Sequence, residues 1–438
     1  MSQAPTKKIG LWTSTSLVVG NMIGAGVFLM PSALASYGGI SLLGWVFSAV
    51  GALFLAIIFG RLSKMMPLGD GGPYAYTRKG FGDFPGFLVA WGYWISCWTT
   101  NATIAVSLVG GLSLFIPILG TSRVAAVLTA LGAVWGLTWI NAMGVREGGK
   151  VQLVTTLLKL IPLAIIAFGG LFFIDIDNFF PLNISGVSNF AAISATAAMT
   201  IFAFQGVECA TIPAGEVENP ETTISKATMI GTLVTIVVYI LSTISVMGIV
   251  PVDKLQTSVT PFADAAEVIW GNGAHYLVGA GVVISAFGAL NGWILIQGQV
   301  PFAIAKDKLF PHVFEKKNSR GAPALGIVIS SIFISVLVFM NYSKGLVEQF
   351  QFLVLLTTVM VLVPYLFSSA SYLMLLIEEK HLKTGGWARA IFLSTGGFAF
   401  SIWAIAGSGE ESVFWGFLML LAGIPFYMWN IWKRNKKS

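Results

Sequence analysis

Apolar residues run along this chain in long blocks separated by short polar turns, with neither the alternation of half-buried strands nor the one-sided stripe of surface helices. Blocks long enough to cross a hydrocarbon layer of about 30 Å fall near residues 10–36, 40–64, 84–113, 123–143, 150–174 and 189–214. Six more lie near 225–250, 275–304, 323–341, 348–376, 388–408 and 412–432. The pattern predicts an all-α membrane protein with twelve transmembrane helices, and an even number puts both termini on one side. The longest connections, around 65–83, 251–274 and 305–322, suit interfacial helices or turns, with Pro67-Leu68-Gly69-Asp70-Gly71-Gly72-Pro73 as a turn cluster. No extramembrane domain is expected.

The first block is interrupted by Gly20-Asn21-Met22-Ile23-Gly24-Ala25-Gly26. Each glycine costs about 1 kcal/mol relative to alanine inside a helix. A helix that stops at mid-membrane and restarts resolves the cost, provided the freed backbone lines a cavity. The restarting end then offers N–H groups to a carboxylate and the stopping end offers carbonyls to an ammonium. The same glycines would also suit a small-residue packing face between helices. The sixth block supplies a second interruption, because Gln205, Gly206 and Glu208 stand where lipid-facing residues belong. A carboxylate at that depth costs at least about 2.5 kcal/mol unless it faces a cavity or a partner. Blocks one and six are five spans apart, and an odd number of spans inverts the second copy. The expectation is a LeuT-like 5+5 inverted repeat with broken helices 1 and 6, spanning about 10–174 and 189–376, with added helices at about 388–432 in one domain of residues 1–438.

Composition agrees: of 438 residues, 56% are hydrophobic and 10% charged, which argues against a soluble globular chain. The formal charge of +6 could suggest nucleic acid, but its distribution points to the membrane instead. On the predicted topology 21 of the 25 Lys and Arg residues lie on the side of the termini, and only Arg123, Lys254 and Lys344 lie opposite. The positive-inside rule therefore places both termini in the cytoplasm. Lys7 and Lys8 precede an apolar run without a convincing cleavage site, so a retained first helix is expected. Cys97 and Cys209 both sit in apolar blocks and support neither a disulfide framework nor a zinc site.

Few residues could carry chemistry. Lys159, the remaining cation, lies mid-span, where it could load and lose a proton or stand in for a sodium ion; a structural lysine is the alternative. Glu208 could attract a cationic substrate, carry a coupled proton, latch a gate, or cap the restarted helix. Asn101 fits interhelical bonding as well as ligand contact. Phe202 and Trp293 could stack on a guanidinium or amine, though membrane aromatics more often pack. The histidines at 275, 312 and 381 fall at span ends or in loops, so no catalytic constellation, metal site or cofactor is expected.

The segments Gly20 to Phe28, Gly72-Pro73-Tyr74-Ala75-Tyr76, Gly206-Val207-Glu208 with Glu218-Asn219-Pro220, Gly292-Trp293 and Pro364-Tyr365 together resemble the amino acid–polyamine–organocation superfamily. Within it the chain is most similar to bacterial basic amino acid and polyamine antiporters. The resemblance implies that backbone at Met22, Phe202 and Gln205 accepts a substrate ammonium while the N–H of Gly26 receives its carboxylate. It implies a side-chain pocket of Asn101, the carbonyls of Ser96 and Cys97, Trp293 and Thr357. Tyr93, Glu208 and Tyr365 match a periplasmic-side gating cluster, Phe202 a lid, and Trp293 a mid-membrane gate.

Three positions depart from the arginine/agmatine pattern. Ala25 lacks a hydroxyl for the carboxylate, Phe202 replaces an indole, and Lys159 resembles a lysine of the proton-coupled and neutral amino acid branches. The expected function is a multi-pass transporter of the bacterial inner membrane that moves a cationic amino acid or its decarboxylated amine, as an exchanger or proton-coupled permease. The alternatives are a neutral amino acid permease with Lys159 carrying the proton and, more remotely, a non-transporting receptor. The implied partners are the small-molecule substrate, the lipid bilayer and coupled protons; a homodimer is compatible with the resemblance and nucleic acid is not expected.

Overall fold

Lipid offers the backbone no hydrogen bonds, so apolar runs of this length satisfy their own peptide groups by coiling into helices. The computed structural model describes residues 10–67, 72–143, 160–161, 163–211, 214, 217–271, 273–340, 343–378 and 386–436, and among these there are helices and turns but no strand. The first block forms α1 (Leu11–Met22), a 3-10 turn (Ala25–Leu29) and α2 (Met30–Ala35), and the two sides of its break differ in direction by 48°. Next come α3 (Ser41–Met65), the short α4 (Pro73–Phe81), α5 (Asp83–Ser113) and α6 (Arg123–Ala142). The second half contains α7 (Asn189–Ile201), α8 (Pro220–Ile249), α9 (Pro261–Trp270) and α10 (Ala274–Lys306). The chain continues through α11 (Ala324–Met340), α12 (Leu346–Glu378), α13 (Trp387–Gly407), α14 (Glu410–Leu421) and α15 (Gly423–Asn435).

Among the described residues nine helical segments are long and apolar enough to cross a membrane, and the bent first pair makes a tenth. α11, at 17 residues, falls just short of that length. The expected fifth span is described only in part, and Lys159 lies outside the described residues, as do most of the Pro67–Pro73 turn cluster and His381.

The helix order follows from where small residues allow close approach. α5 is buried along nearly its whole length, packed against α10 and α12. α3 crosses α7 at Gly44, where a Cβ would collide with Thr196, and the hydroxyls of Ser48 and Thr200 meet at 2.5 Å beside it. α13 and α14 instead turn Phe392, Phe414 and Phe417 outward, as lipid-facing helices do. Serine caps start two helices, with Ser122 accepting from the N–H of Ala125 and Ser188 from that of Ala191.

Close packing at Gly44 gives a direct test. Gly44→Val should destabilise the protein by about 1–3 kcal/mol through overpacking, seen as a lower temperature of aggregation in detergent. Gly132→Ala, where a Cβ meets nothing within 4 Å, should leave that temperature unchanged or higher; equal losses in both would contradict the packing assignment.

Candidate functional site

The second interruption begins where α7 ends at Ile201. Phe202–Phe204 tighten into a 3-10 turn, Gln205 opens to φ −60° and ψ 129°, and Gly206 takes φ +109°, a conformation that strains any residue with a Cβ. A Cβ at Gly206 would also lie 3.2 Å from backbone atoms of Asn21 and Met22. The two breaks therefore touch, Gly206 lying against Asn21 and Met22.

At the first break the last carbonyl is paired and, among the described residues, the first amides are not. The carbonyl of Met22, at the end of α1, accepts from the Tyr239 hydroxyl at 2.6 Å and from the Gly24 N–H at 2.7 Å. Tyr239 comes from α8 and is held by ring contacts with Trp45 and Phe204 at 5.4 and 5.8 Å between centroids. Beyond the break, Gly24 is extended and the 3-10 turn starts at Ala25, which puts the N–H groups of Ala25 and Gly26 in a first turn with no acceptor in their own helix. The side chain of Ala25 lies outside the described atoms.

Between the breaks is a cavity of about 20 Å³, room for one or two waters and far less than an amino acid. Its walls are Asn21, Met22, Gly24 and Val27 on one side and Phe202, Ala203 and Gln205 on the other, closed by Thr100 and Ile104 of α5 and Trp293 of α10. Admitting a ligand requires a wall to move. Phe202 and Trp293 are its bulkiest members and are 7% and 3% exposed. Thr100 also donates to Gln205 Oε1 at 3.0 Å, tying the second break to α5.

Glu208 is fully buried just past the second break. Its Oε1 accepts from the Tyr93 hydroxyl at 2.9 Å, and its Oε2 from the Tyr365 hydroxyl at 2.6 Å and the Gly206 N–H at 3.2 Å. Three donors offset the cost of burying a carboxylate and staple the restarted segment to α5 and α12. Tyr93 lies about 15 Å along α5 from Asp83, and Tyr365 about 20 Å along α12 from Glu378. On the twelve-span topology expected from the sequence, both of those ends lie on the face rich in Lys and Arg. On that topology the cluster falls between the cavity and the Lys- and Arg-rich face, whereas the resemblance implies the opposite, periplasmic side. The reason is helix direction: the gating residues follow the break in span six but precede the midpoint of span three, which runs the other way.

The expected side-chain pocket is dispersed in this geometry. Asn101 donates to Gln297 Oε1 at 2.7 Å and does not line the cavity. The Ser96 carbonyl accepts from Thr99 and Thr100 hydroxyls at 3.1 and 2.6 Å, Cys97 is a buried free thiol, and the buried Thr357 hydroxyl has no partner. Thr100, Tyr239 and Gln297 did not stand out in the sequence, although each is a polar group inside a long apolar run, the same signal that singled out Glu208.

A wider cavity of about 400 Å³ is lined by Tyr74, Ala75, Arg78, Lys79, Asp83 and Asp307. Arg78 meets Asp83 at 2.8 Å and Asp307 at 4.0 Å, and partial burial raises the Asp307 carboxyl above its ordinary range. These pairs are more than a third exposed, worth about 0–1 kcal/mol each. They hold the rim of this cavity only loosely.

Residues 9–429 match the family described as Amino acid permease. The chain belongs to this family. The permease is 32% identical to the arginine/ornithine antiporter of Pseudomonas aeruginosa, over 97% of its own length and 91% of that protein. It is 32% identical to the putrescine transporter PotE of Haemophilus influenzae, over 99% of its length and all of that protein. It is 31% identical to the cadaverine/lysine antiporter of Escherichia coli, over 99% and 97%. The family and the apolar helices together make the permease a multi-pass membrane protein.

Glu208→Gln keeps the shape of the cluster but turns one acceptor oxygen into a donor, so one tyrosine or amide bond is lost at about 1–3 kcal/mol. The expected result is a changed pH profile of transport at unchanged membrane level. An identical profile would leave Glu208 a structural cap on the segment after the break.

Proposed function

We propose that this permease is a secondary transporter of the bacterial cytoplasmic membrane that exchanges a cationic amino acid with another, or with its decarboxylated amine, by alternating access and without ATP. The observation that carries the reading is the meeting of two interrupted helices around a small cavity, with the first-turn N–H groups at Ala25 and Gly26 on one side and the Phe202–Gln205 turn on the other. Such an arrangement suits a zwitterion: N–H groups of the first turn at Ala25 and Gly26 face a carboxylate, and carbonyls at Met22, Phe202 and Gln205 face an ammonium. Because the Met22 carbonyl already accepts twice, an arriving ammonium takes the place of the Tyr239 hydroxyl, and binding releases α8 from the break. Asn101, Ser96, Cys97 and Thr357 form the distal part of the pocket once the walls separate.

Two gates follow from position. Phe202 and Trp293 close the cavity itself, while Tyr93, Glu208 and Tyr365 close the path to the face of the termini, which the positive-inside rule makes cytoplasmic. The reading includes twelve spans in two inverted repeats at about 10–174 and 189–376, and Lys159 in the fifth span as the group that couples a proton or replaces a sodium ion. The curated relatives carry arginine, ornithine, putrescine, lysine and cadaverine in their names, which supports a cationic ligand over a neutral one.

Counterflow in proteoliposomes tests the class of substrate. Labelled ornithine should accumulate against internal ornithine, arginine or putrescine, and alanine should not compete; competition by alanine alone would reverse the reading. Trp293→Ala should lower flux by at least about tenfold at equal protein in the membrane, the order expected when a positioned wall is lost. Unchanged flux in that variant would remove Trp293 from the gate.

A further inference from the structure

A buried amide network ends one turn from the cavity, and its polarity can be read. Gln297 of α10 is fully buried, one helical turn beyond the cavity-lining Trp293, and Asn101 of α5 is fully buried, one turn before the cavity-lining Ile104. The Gln297 amide nitrogen lies 3.3 Å from the Ile327 carbonyl and 3.0 Å from the Ser331 hydroxyl, both on α11. A backbone carbonyl only accepts. The nitrogen of Gln297 must therefore face it, since the reversed amide would set two carbonyl oxygens against each other.

The rest of the network agrees. Ser331 donates to the same Ile327 carbonyl at 2.9 Å and shares a 2.6 Å bond with the Thr138 hydroxyl of α6, so its lone pairs are filled by Thr138 and Gln297. With the nitrogen committed to α11, Gln297 Oε1 faces Asn101, and Asn101 must turn its own nitrogen to that oxygen at 2.7 Å. What remains is Asn101 Oδ1, a buried acceptor with no hydrogen-bond partner. A buried unpaired acceptor costs free energy that an incoming donor recovers.

We propose that Gln297 is the positioning residue that fixes the polarity of the Asn101 amide, so that the distal pocket presents an oxygen acceptor and selects a ligand whose side chain ends in an N–H donor, an ammonium or a guanidinium, over its apolar isostere. The proposal rests on the cationic reading above and assigns the device that discriminates. Sites that hydrogen-bond a substrate group reject the analogue lacking it more strongly than apolar pockets reject a missing methylene, because their polar atoms are then left unpaired. Without Gln297 the Asn101 amide turns freely, and half its orientations present N–H groups to a cation.

The probe pair is ornithine and norleucine, which differs from it by a methyl in place of the terminal ammonium. In proteoliposome counterflow, the ratio of half-inhibiting norleucine to half-saturating ornithine measures the preference. Gln297→Met, similar in length and apolar, should lower that ratio by about tenfold, the value of one oriented hydrogen bond to a charge. The change should fall mostly in half-saturation, with maximal flux less affected. Ser331→Ala removes a single hydroxyl that holds Gln297 and should lower the ratio in the same direction by about twofold; it keeps the test available if Gln297→Met fails to reach the membrane. A fall in flux for both compounds at an unchanged ratio, in whichever of these variants reaches the membrane, would make the network structural and overturn the proposal. Failure of the unmodified permease to take up ornithine or any amine would instead sink the cationic reading, which the parent protein alone reports.

Discussion

A peptide group inside a bilayer must find its partner within the protein, and this fold is arranged around the place where that requirement is met with least margin. At the first break, the last carbonyl of α1 is served by a tyrosine from α8 and by an amide two residues on. At the second, Thr100 holds the Gln205 side chain, and Glu208 folds back onto the N–H of Gly206. None of these partners belongs to the regular ladder of a helix. All can be exchanged for a ligand or released by a helix shift, whereas a ladder bond cannot.

That difference connects packing to transport. The surrounding helices are clamped where glycine lets backbones meet, as at Gly44 against Thr196, and such contacts tolerate little sliding. The break region also meets at a glycine, Gly206, but beside a cavity of water size and with side-chain hydrogen bonds such as that of Thr100 to Gln205. A ligand that replaces the Tyr239 hydroxyl at Met22 and pairs Asn101 Oδ1 acts on two helices at once. Binding then shifts the balance between conformations only by as much as it favours one of them.

The twin interruptions were legible in the sequence because glycine, glutamine and glutamate are conspicuous inside apolar blocks, and Glu208 with Tyr93 and Tyr365 came together from the family resemblance. Tyr239, Thr100 and Gln297 were not legible as site residues. Each is one polar group in a run that reads as an ordinary membrane helix, and its partner lies in another helix: Gln205 for Thr100, Met22 for Tyr239, Asn101 and α11 for Gln297. The side of the gate is not legible for a related reason, since a motif carries no direction until the orientation of its helix is known. The Asn101 amide was read as glue or ligand, and the structure shows the first: its nitrogen is bonded across helices and its oxygen is left over.

The central claim is that peptide groups of two broken helices, and not side chains alone, grip the ligand. A cryo-electron-microscopy structure with ornithine bound tests it most directly. The account predicts the α-carboxylate within hydrogen-bond distance of the N–H groups at Ala25 and Gly26, and the α-ammonium at carbonyls of Met22, Phe202 or Gln205 with the Tyr239 hydroxyl displaced. Ornithine held wholly by side chains, or lodged away from both breaks with the Tyr239 to Met22 bond intact, would contradict it.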